Sequence, residues 1–349
     1  MIELVELHDG GQPARDIAAR IAAFLEPAQH TLELALYDIH LVSDNAAAIH
    51  QALQAALARG VRVRLVYNFD FGKEVAIPRP PAAKPELVEQ LKVETRAVSG
   101  VPDLMHHKYV VRDGKSLMTG STNWTDDSWS REENLIAFIE SRELASRYLV
   151  DFEQLWTTQN VMHSGRVDSA PISIEGHRVR PWFAPGHGDA LSHRIARRIA
   201  QARRRIRIAS PVLTSGPILG TLAELPVANQ IDLAGVLDAT QVAEVIHQWR
   251  SKPHVSWKED ALRSLVARSV FTGKVSTPWT PASVHDYMHA KIVVADDVVF
   301  FGSFNLSRSG ERNAENTLEI EDAELAEKLA TFVDEIRACY QPIQLPEPA

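Results

Sequence analysis

Met105-His106-His107-Lys108-Tyr109-Val110-Val111-Arg112-Asp113 and Met288-His289-Ala290-Lys291-Ile292-Val293-Val294-Ala295-Asp296 are two copies of one pattern. In each, His and Lys stand two positions apart ahead of an apolar run rich in Val and Ile, the composition of a buried strand. Alternate side chains of a strand leave the same face, so His106 and Lys108 project together, as do His289 and Lys291. His107 falls on the opposite face and reads as a packed or surface residue. Arg112-Asp113-Gly114-Lys115 and the shorter Asp296-Asp297 read as hairpin turns, with Asp113 and Asp296 organising the backbone there. The return strands, Ser116–Thr119 and Val298–Phe301, end at Gly120-Ser121-Thr122-Asn123 and Gly302-Ser303-Phe304-Asn305. Glycine lets the backbone approach closely there, and Ser and Asn bring neutral hydrogen-bonding groups beside the cations.

The repeat extends outward from these hairpins. Each half opens with a strand, a Gly-containing loop and an amphipathic helix: Leu4–Leu7 then Ala14–Leu25, and Arg178–Phe183 then Leu191–Ala202. Ile17 and Ile21 match Ile195 and Ile199, a spacing that stays on one helix face. Core strands Thr31–Leu36 and Arg205–Ala209 follow, then helix Asn45–Arg59 with strand Val61–Tyr67, echoed around Ala228–Leu237. Alternating strands and helices point to an α/β fold. Two pseudo-symmetric α/β/α sandwich lobes are expected, residues 1–160 and 175–349, with mostly parallel central sheets and an active site at the lobe interface. The periodicity breaks between Thr157 and His177, a helix is expected over Ala323–Tyr340, and residues 341–349 read as an irregular tail.

A chain of 349 residues with 45% hydrophobic content suffices for two cores. No stretch of about 18 apolar residues and no basic-then-apolar leader is visible, so a cytoplasmic protein without an integral membrane segment is expected. The lone Cys339, in the last helix, excludes an internal disulfide and reads as a small buried hydrophobe.

The doubled His-x-Lys-x4-Asp pattern, each copy followed by Gly-Ser-x-Asn, resembles the phospholipase D superfamily. A further element stands in register downstream, Glu133-Asn134 and Glu315-Asn316. The histidines are 183 positions apart (106 to 289) and the glutamates 182 (133 to 315), so the copies read as halves of one site. The resemblance implies His106, Lys108, His289 and Lys291 as catalytic residues, with Glu133 and Glu315 accepting a hydrogen bond from the second ring nitrogen of a histidine. It implies Ser121, Asn123, Ser303 and Asn305 as phosphate-binding residues and Asp113 and Asp296 as structural members of the motif. By analogy with two-motif members, His106 is the nucleophile and His289 the acid.

The chemistry fits those residue types. Two ammonium groups neutralise a phosphodiester, one neutral imidazole attacks phosphorus, and a protonated one donates to the leaving oxygen. A covalent phosphohistidine results, resolved by water while the second histidine turns from acid to base. The scheme needs no divalent metal and no cofactor, and a single chain carrying both motifs is expected to work as a monomer with an internal pseudo-dimer.

The resemblance implies a phosphodiester substrate, phospholipid or nucleic acid. Net charge of −8 offers nucleic acid no general attraction. Arg194, Arg197, Arg198, Arg203, Arg204, Arg205 and Arg207 form a local basic stretch that reads as a solvated helix face rather than a nucleic-acid track. Trp124, Trp129, Trp279 and Tyr287 are candidates for the mouth of the site, suited to bases, acyl chains or a choline head group. The wording around the first motif resembles the endonuclease and cardiolipin-hydrolase branch, whose nucleases carry one motif per chain. A phospholipase D-type hydrolase of a phosphodiester lipid is favoured. A metal-independent nuclease is the alternative, and an inert phosphate-binding scaffold the second, disfavoured by the intact motifs.

Overall fold

A computed structural model describes residues 1–41, 43–69, 89–100, 103–225, 231–280 and 283–348. Most of the repeat around Ala228–Leu237 is among them, but 226–230 lie outside. The first half runs β1 (Ile2–Leu7), α1 (Ala14–Leu25), β2 (Thr31–Leu36), β3 (Ile39–His40), α2 (Ser43–Ala58), β4 (Arg62–Phe69), β5 (Glu94–Ser99), β6 (Lys108–Arg112), β7 (Ser116–Gly120), β8 (Trp124–Thr125), α3 (Asp126–Ser130), β9 (Asn134–Glu140) and α4 (Arg142–Thr158). The second runs β10 (Ile172–Ile174), β11 (His177–Ala184), α5 (Gly188–Gln201), β12 (Arg205–Ser210), α6 (Gly216–Glu224), β13 (Asp232–Asp238), α7 (Ala239–Arg250), α8 (Trp257–Arg268), β14 (Val270–Lys274), β15 (Ile292–Ala295), β16 (Val298–Gly302), α9 (Arg308–Arg312), β17 (Glu315–Glu321) and α10 (Ala323–Ala338).

Two large sheets result, ordered β1-β9-β7-β6-β2-β4-β5 and β10-β11-β17-β16-β15-β12-β13-β14 among the described residues. The α/β class holds, but the sheets are not mostly parallel. Only β2-β4-β5 and β12-β13-β14 pair in parallel, and the remaining neighbours are antiparallel. The cause is connection length: β2 reaches β4 through the crossover helix α2, whereas β6 and β7 are joined by a tight turn. The motif hairpins and the strands after them therefore add antiparallel strands beside β2 and β12.

Side-chain parity divides the core. Val110 of β6 packs outward against α1 and α2, while Tyr109 and Val111 face a central layer. In β15, Val293 packs outward with α5, and Ile292 and Val294 face the same centre. That layer holds Tyr148, Phe152 and Leu155 of α4 and Phe332, Val333 and Ile336 of α10, so the two sheets share one core. Ile17, Ile21, Ile195 and Ile199 are all buried, as their spacing requires. The C-terminal segment is not loose: Ile343 is buried, and its N–H donates to the Phe271 carbonyl at 3.0 Å. Cys339 is exposed rather than buried, because it lies just past the end of α10. Among the described residues no helix is long and apolar enough to cross a membrane.

Candidate active site

Gly120 and Gly302 end the return strands with φ of 153° and 157°. A Cβ there would stand 2.1 Å from the Leu135 carbonyl oxygen and 2.2 Å from that of Asn316, which only glycine avoids. This close approach lets the Ser121 and Ser303 N–H groups donate to those carbonyls, each at 2.9 Å. The Glu-Asn segments are thereby pinned beside the hairpins, and the lobes interlock: His106 N–H donates to the Ala314 carbonyl at 2.9 Å, and His289 N–H to the Glu133 carbonyl at 3.1 Å.

His106, His289, Asn123 and Asn305 line a single cavity of 760 Å³ between the lobes. His106 Nδ1 lies 2.9 Å from the Glu315 carboxylate of the opposite lobe, and the Tyr37 ring meets the imidazole edge-on at 4.6 Å. Lys108 Nζ donates to the His106 carbonyl at 2.6 Å and lies 4.8 Å from the centre of the Tyr37 ring. Lys291 Nζ donates to the His289 carbonyl at 2.5 Å. Both lysines are almost fully buried.

The sequence register fails at Glu133. His289 Nδ1 meets the Asn134 amide oxygen at 3.1 Å and Glu132 at 3.4 Å. The Glu133 carboxylate instead accepts from Lys274 Nζ at 2.9 Å and from the Tyr340 hydroxyl, tying β9 to the other lobe. The strand pairing gives the reason. Gly120 pairs with Ile136 but Gly302 with Thr317, so the structural counterpart of Glu315 is Asn134. Residues 131–133 separate α3 from β9, whereas only 313 and 314 separate α9 from β17. A gapless alignment of Glu-Asn on Glu-Asn conceals this extra residue, and Glu132 beside Glu133 was the one visible hint.

Electrostatics follow from burial. Desolvation, then the two lysines, holds the His106 imidazole well below its usual range. His289 is depressed likewise by burial, Lys291, Lys108 and His106. Burial lowers Lys108 to about 7 despite Glu315, Asp38 and Glu132, and it pushes Lys291 well down, with Lys108 adding repulsion. Glu315 is pushed up to about 7 by burial against the pull of Lys108. A phosphoryl anion placed beside the two lysines favours their charged forms and offsets their mutual repulsion.

The other expected residues separate into distinct tasks. The Asn123 and Asn305 amide oxygens have no hydrogen-bond partner among the described residues, so each amide can turn a donor toward a phosphoryl oxygen. The Ser121 and Ser303 hydroxyls, expected on phosphate, are engaged internally: Ser121 Oγ donates to Asn134 at 2.6 Å and accepts from Leu135 N–H, and Ser303 Oγ accepts from Asn316 N–H at 3.0 Å. His107 is fully buried on the central face, 2.9 Å from Asp151, its Nδ1 accepting from the Asn316 amide at 3.1 Å. Trp124 and Trp129 are buried in the outer core, and only Trp279 and Tyr287 of the expected aromatics reach the cavity. Arg194, Arg198, Arg204, Arg205 and Arg207 are all ion-paired, to Glu319, Glu321, Asp297, Glu327, Asp232 and Asp334.

Asp113 and Asp296 sit at the turns in left-handed backbone, φ 54° and 53°. Asp113 accepts from the N–H groups of Gln29, His30 and Thr31, and Asp296 from those of Arg203, Arg204 and Arg205, clamping each turn to the loop ahead of β2 or β12. Partial burial alone would raise these carboxyls, but the three backbone donors hold both below the usual range. Asp113→Ala or Asp296→Ala is expected to cost about 2 kcal/mol by denaturant unfolding with little change in KM. Because the folded-state values are depressed, this stability is present above the unfolded carboxyl's pKa and is lost as pH falls through the folded one.

The family model described as "Cardiolipin synthase, PLD-like domain" matches residues 21–156 and 195–337. Human mitochondrial cardiolipin hydrolase is 28% identical over 196 residues, 52% of this chain and 71% of that protein. A phospholipase D of Rickettsia prowazekii (strain Madrid E) is 30% identical over 139 residues, 40% of this chain and 62% of that protein. The crystal structure of phosphatidylserine synthase from Haemophilus influenzae Rd KW20 superposes with a TM-score of 0.66 at 12% identity, over 99% of this chain and 87% of that one. That last likeness concerns the fold. With the model matching in both halves, and phosphodiesterase-type enzymes among the relatives, the chain belongs to the phospholipase D-like family.

Proposed function

We propose that the protein hydrolyses a phosphodiester lipid through a covalent phosphohistidine. The observation that carries the reading is the single cavity lined by His106 and His289, whose carbonyls accept from the buried Lys108 and Lys291. His106 Nε2 attacks phosphorus while Glu315, on Nδ1, balances the positive charge of the phosphorylated ring. The bond from phosphorus to the leaving oxygen breaks, and His289 gives that oxygen its proton. Water then loses a proton to His289 and attacks phosphorus, releasing His106 and a phosphomonoester. In the free protein both imidazoles are held neutral by burial and the lysines. An entering phosphodiester offsets the lysine charge and allows His289 to take up its proton. Both halves of the site come from one chain.

The cavity's character favours a lipid over a polynucleotide. Its described lining includes Asp38, Glu132 and Glu244 and the rings of Tyr37, Trp279 and Tyr287, with no Arg or Lys. A polynucleotide needs cations for the phosphates flanking the scissile one. The relatives named for cardiolipin and phospholipase D activity point the same way. Parallel assays in EDTA on cardiolipin vesicles, phosphatidylcholine vesicles, single-stranded DNA and RNA test the proposal. Release of phosphatidic acid or phosphatidylglycerol is the expected result, and cleavage of nucleic acid alone overturns it.

A further inference from the structure

Asn134 stands in one half of the site where Glu315 stands in the other, so the two histidines are held by different chemistry. The amide's orientation is fixed by its surroundings. Its Nδ2 donates to the Ser128 carbonyl at 3.1 Å and to Glu132 at 2.9 Å, and its oxygen accepts from Ser121 Oγ at 2.6 Å. An amide oxygen only accepts, so the ring proton of neutral His289 resides on Nδ1, and Nε2 is left to carry the catalytic proton. Glu132, itself held by Ser128 Oγ at 2.7 Å, stands 3.4 Å from the same nitrogen; burial pushes this carboxyl up to about 7 against the pull of Ser128, Asn134, Lys291 and Lys274, so its negative charge develops as pH rises through neutrality.

Resting on the phosphodiesterase reading above, we infer that Asn134 and Glu132, not Glu133, position His289 and set its strength as an acid. The amide fixes the tautomer without the full hold of a directly bonded carboxylate. The longer-range charge of Glu132 keeps the imidazolium accessible. A group that must surrender its proton benefits from that looser hold, whereas the His106 ring, which becomes a cationic phosphoimidazole, benefits from Glu315 at 2.9 Å. The other charged groups around His289 are Lys291 behind its own strand and Lys108 and His106 from the facing hairpin. All three oppose its protonation; a backbone hydrogen bond at Ser121 favours it, and Glu132 at 3.4 Å is the carboxylate placed to add to that.

The test compares Glu132→Gln with Glu133→Gln in the full chain. It follows kcat against pH, which reports the acid in the substrate complex, on bis(p-nitrophenyl) phosphate, whose leaving group needs no acid, and on whichever vesicle the wild type cleaves. Glu132→Gln is expected to move the alkaline limb down by about one pH unit and to lower lipid turnover by about 100-fold, with the aryl ester affected less than about tenfold. Glu133→Gln is expected to leave the limb in place while lowering Tm, since Lys274 loses the nearer of its two carboxylate partners, Glu133 at 2.9 Å and Asp9 at 3.2 Å. Asn134→Asp, which places a carboxylate directly on Nδ1, is expected to move the limb upward and serves if Glu132→Gln fails to fold. A limb that moves with Glu133, or with neither Glu132 nor Asn134, overturns the inference. Wild-type inactivity on every phosphodiester instead overturns the reading beneath it.

Discussion

His106→Ala is expected to abolish phosphodiester turnover, by on the order of 10⁴-fold or more in kcat, on aryl and lipid substrates alike. The expectation follows from the site's division of labour. Of the two motif histidines, His106 is the one whose Nδ1 is hydrogen-bonded directly to a buried carboxylate, so its Nε2 is the nitrogen whose phosphorylated form is stabilised. Without that nitrogen no covalent step exists for Lys108, Lys291 or His289 to assist. The fold should persist, because the vacated carboxylate, already pushed up to about 7 by burial, can take a proton. Far-UV circular dichroism and a thermal melt beside the assay separate loss of chemistry from loss of structure.

Lys108→Met is expected to lower kcat/KM by on the order of 1000-fold and yet to raise thermal stability near neutral pH. The ammonium is buried, and burial brings its pKa from 10.5 to about 7 in the folded protein. Between those values the unfolded chain binds a proton that the native chain does not, so stability increases with pH across that window. Below about 7 the full penalty is present, and above 10.5 it vanishes. Methionine matches the lysine stem and removes the penalty, offset in part by the hydrogen bond lost at the His106 carbonyl. The stabilisation should therefore be largest below pH 7 and fade toward pH 10, a trend that thermal melts across pH would read. Equal loss of stability at every pH would mean that the lysine is a structural tie rather than a charge held for substrate.

The fold was legible wherever one residue's parity or spacing settled the matter. His106 with Lys108, opposed to His107, followed from alternation along one strand, and Ile17 with Ile21 from helical spacing. Sheet direction was not legible, because pairing depends on how β6, β7 and β9 return to β2, and hairpins and crossovers have similar local sequences. The Glu133 assignment failed because the extra residue between α3 and β9 shifts the strand without disturbing the Glu-Asn spacing. The hold of the Ser121 and Ser303 hydroxyls on the neighbouring backbone was not legible, because it is set by the close approach at Gly120 and Gly302 and not by the Gly-Ser-x-Asn wording itself. Trp124 and Trp129 are adjacent to the motif yet point into the outer core, a matter of packing that proximity in sequence does not reveal.

The most direct measurement is the mass of the protein quenched during reaction with bis(p-nitrophenyl) phosphate in EDTA, using His289→Ala so that release of the intermediate is slow. A nitrophenyl phosphoryl adduct mapped to His106, absent from the His106→Ala, His289→Ala double variant, is the expected result. Sustained release of nitrophenol with no adduct, or an adduct on any other residue, would contradict the covalent role assigned to His106.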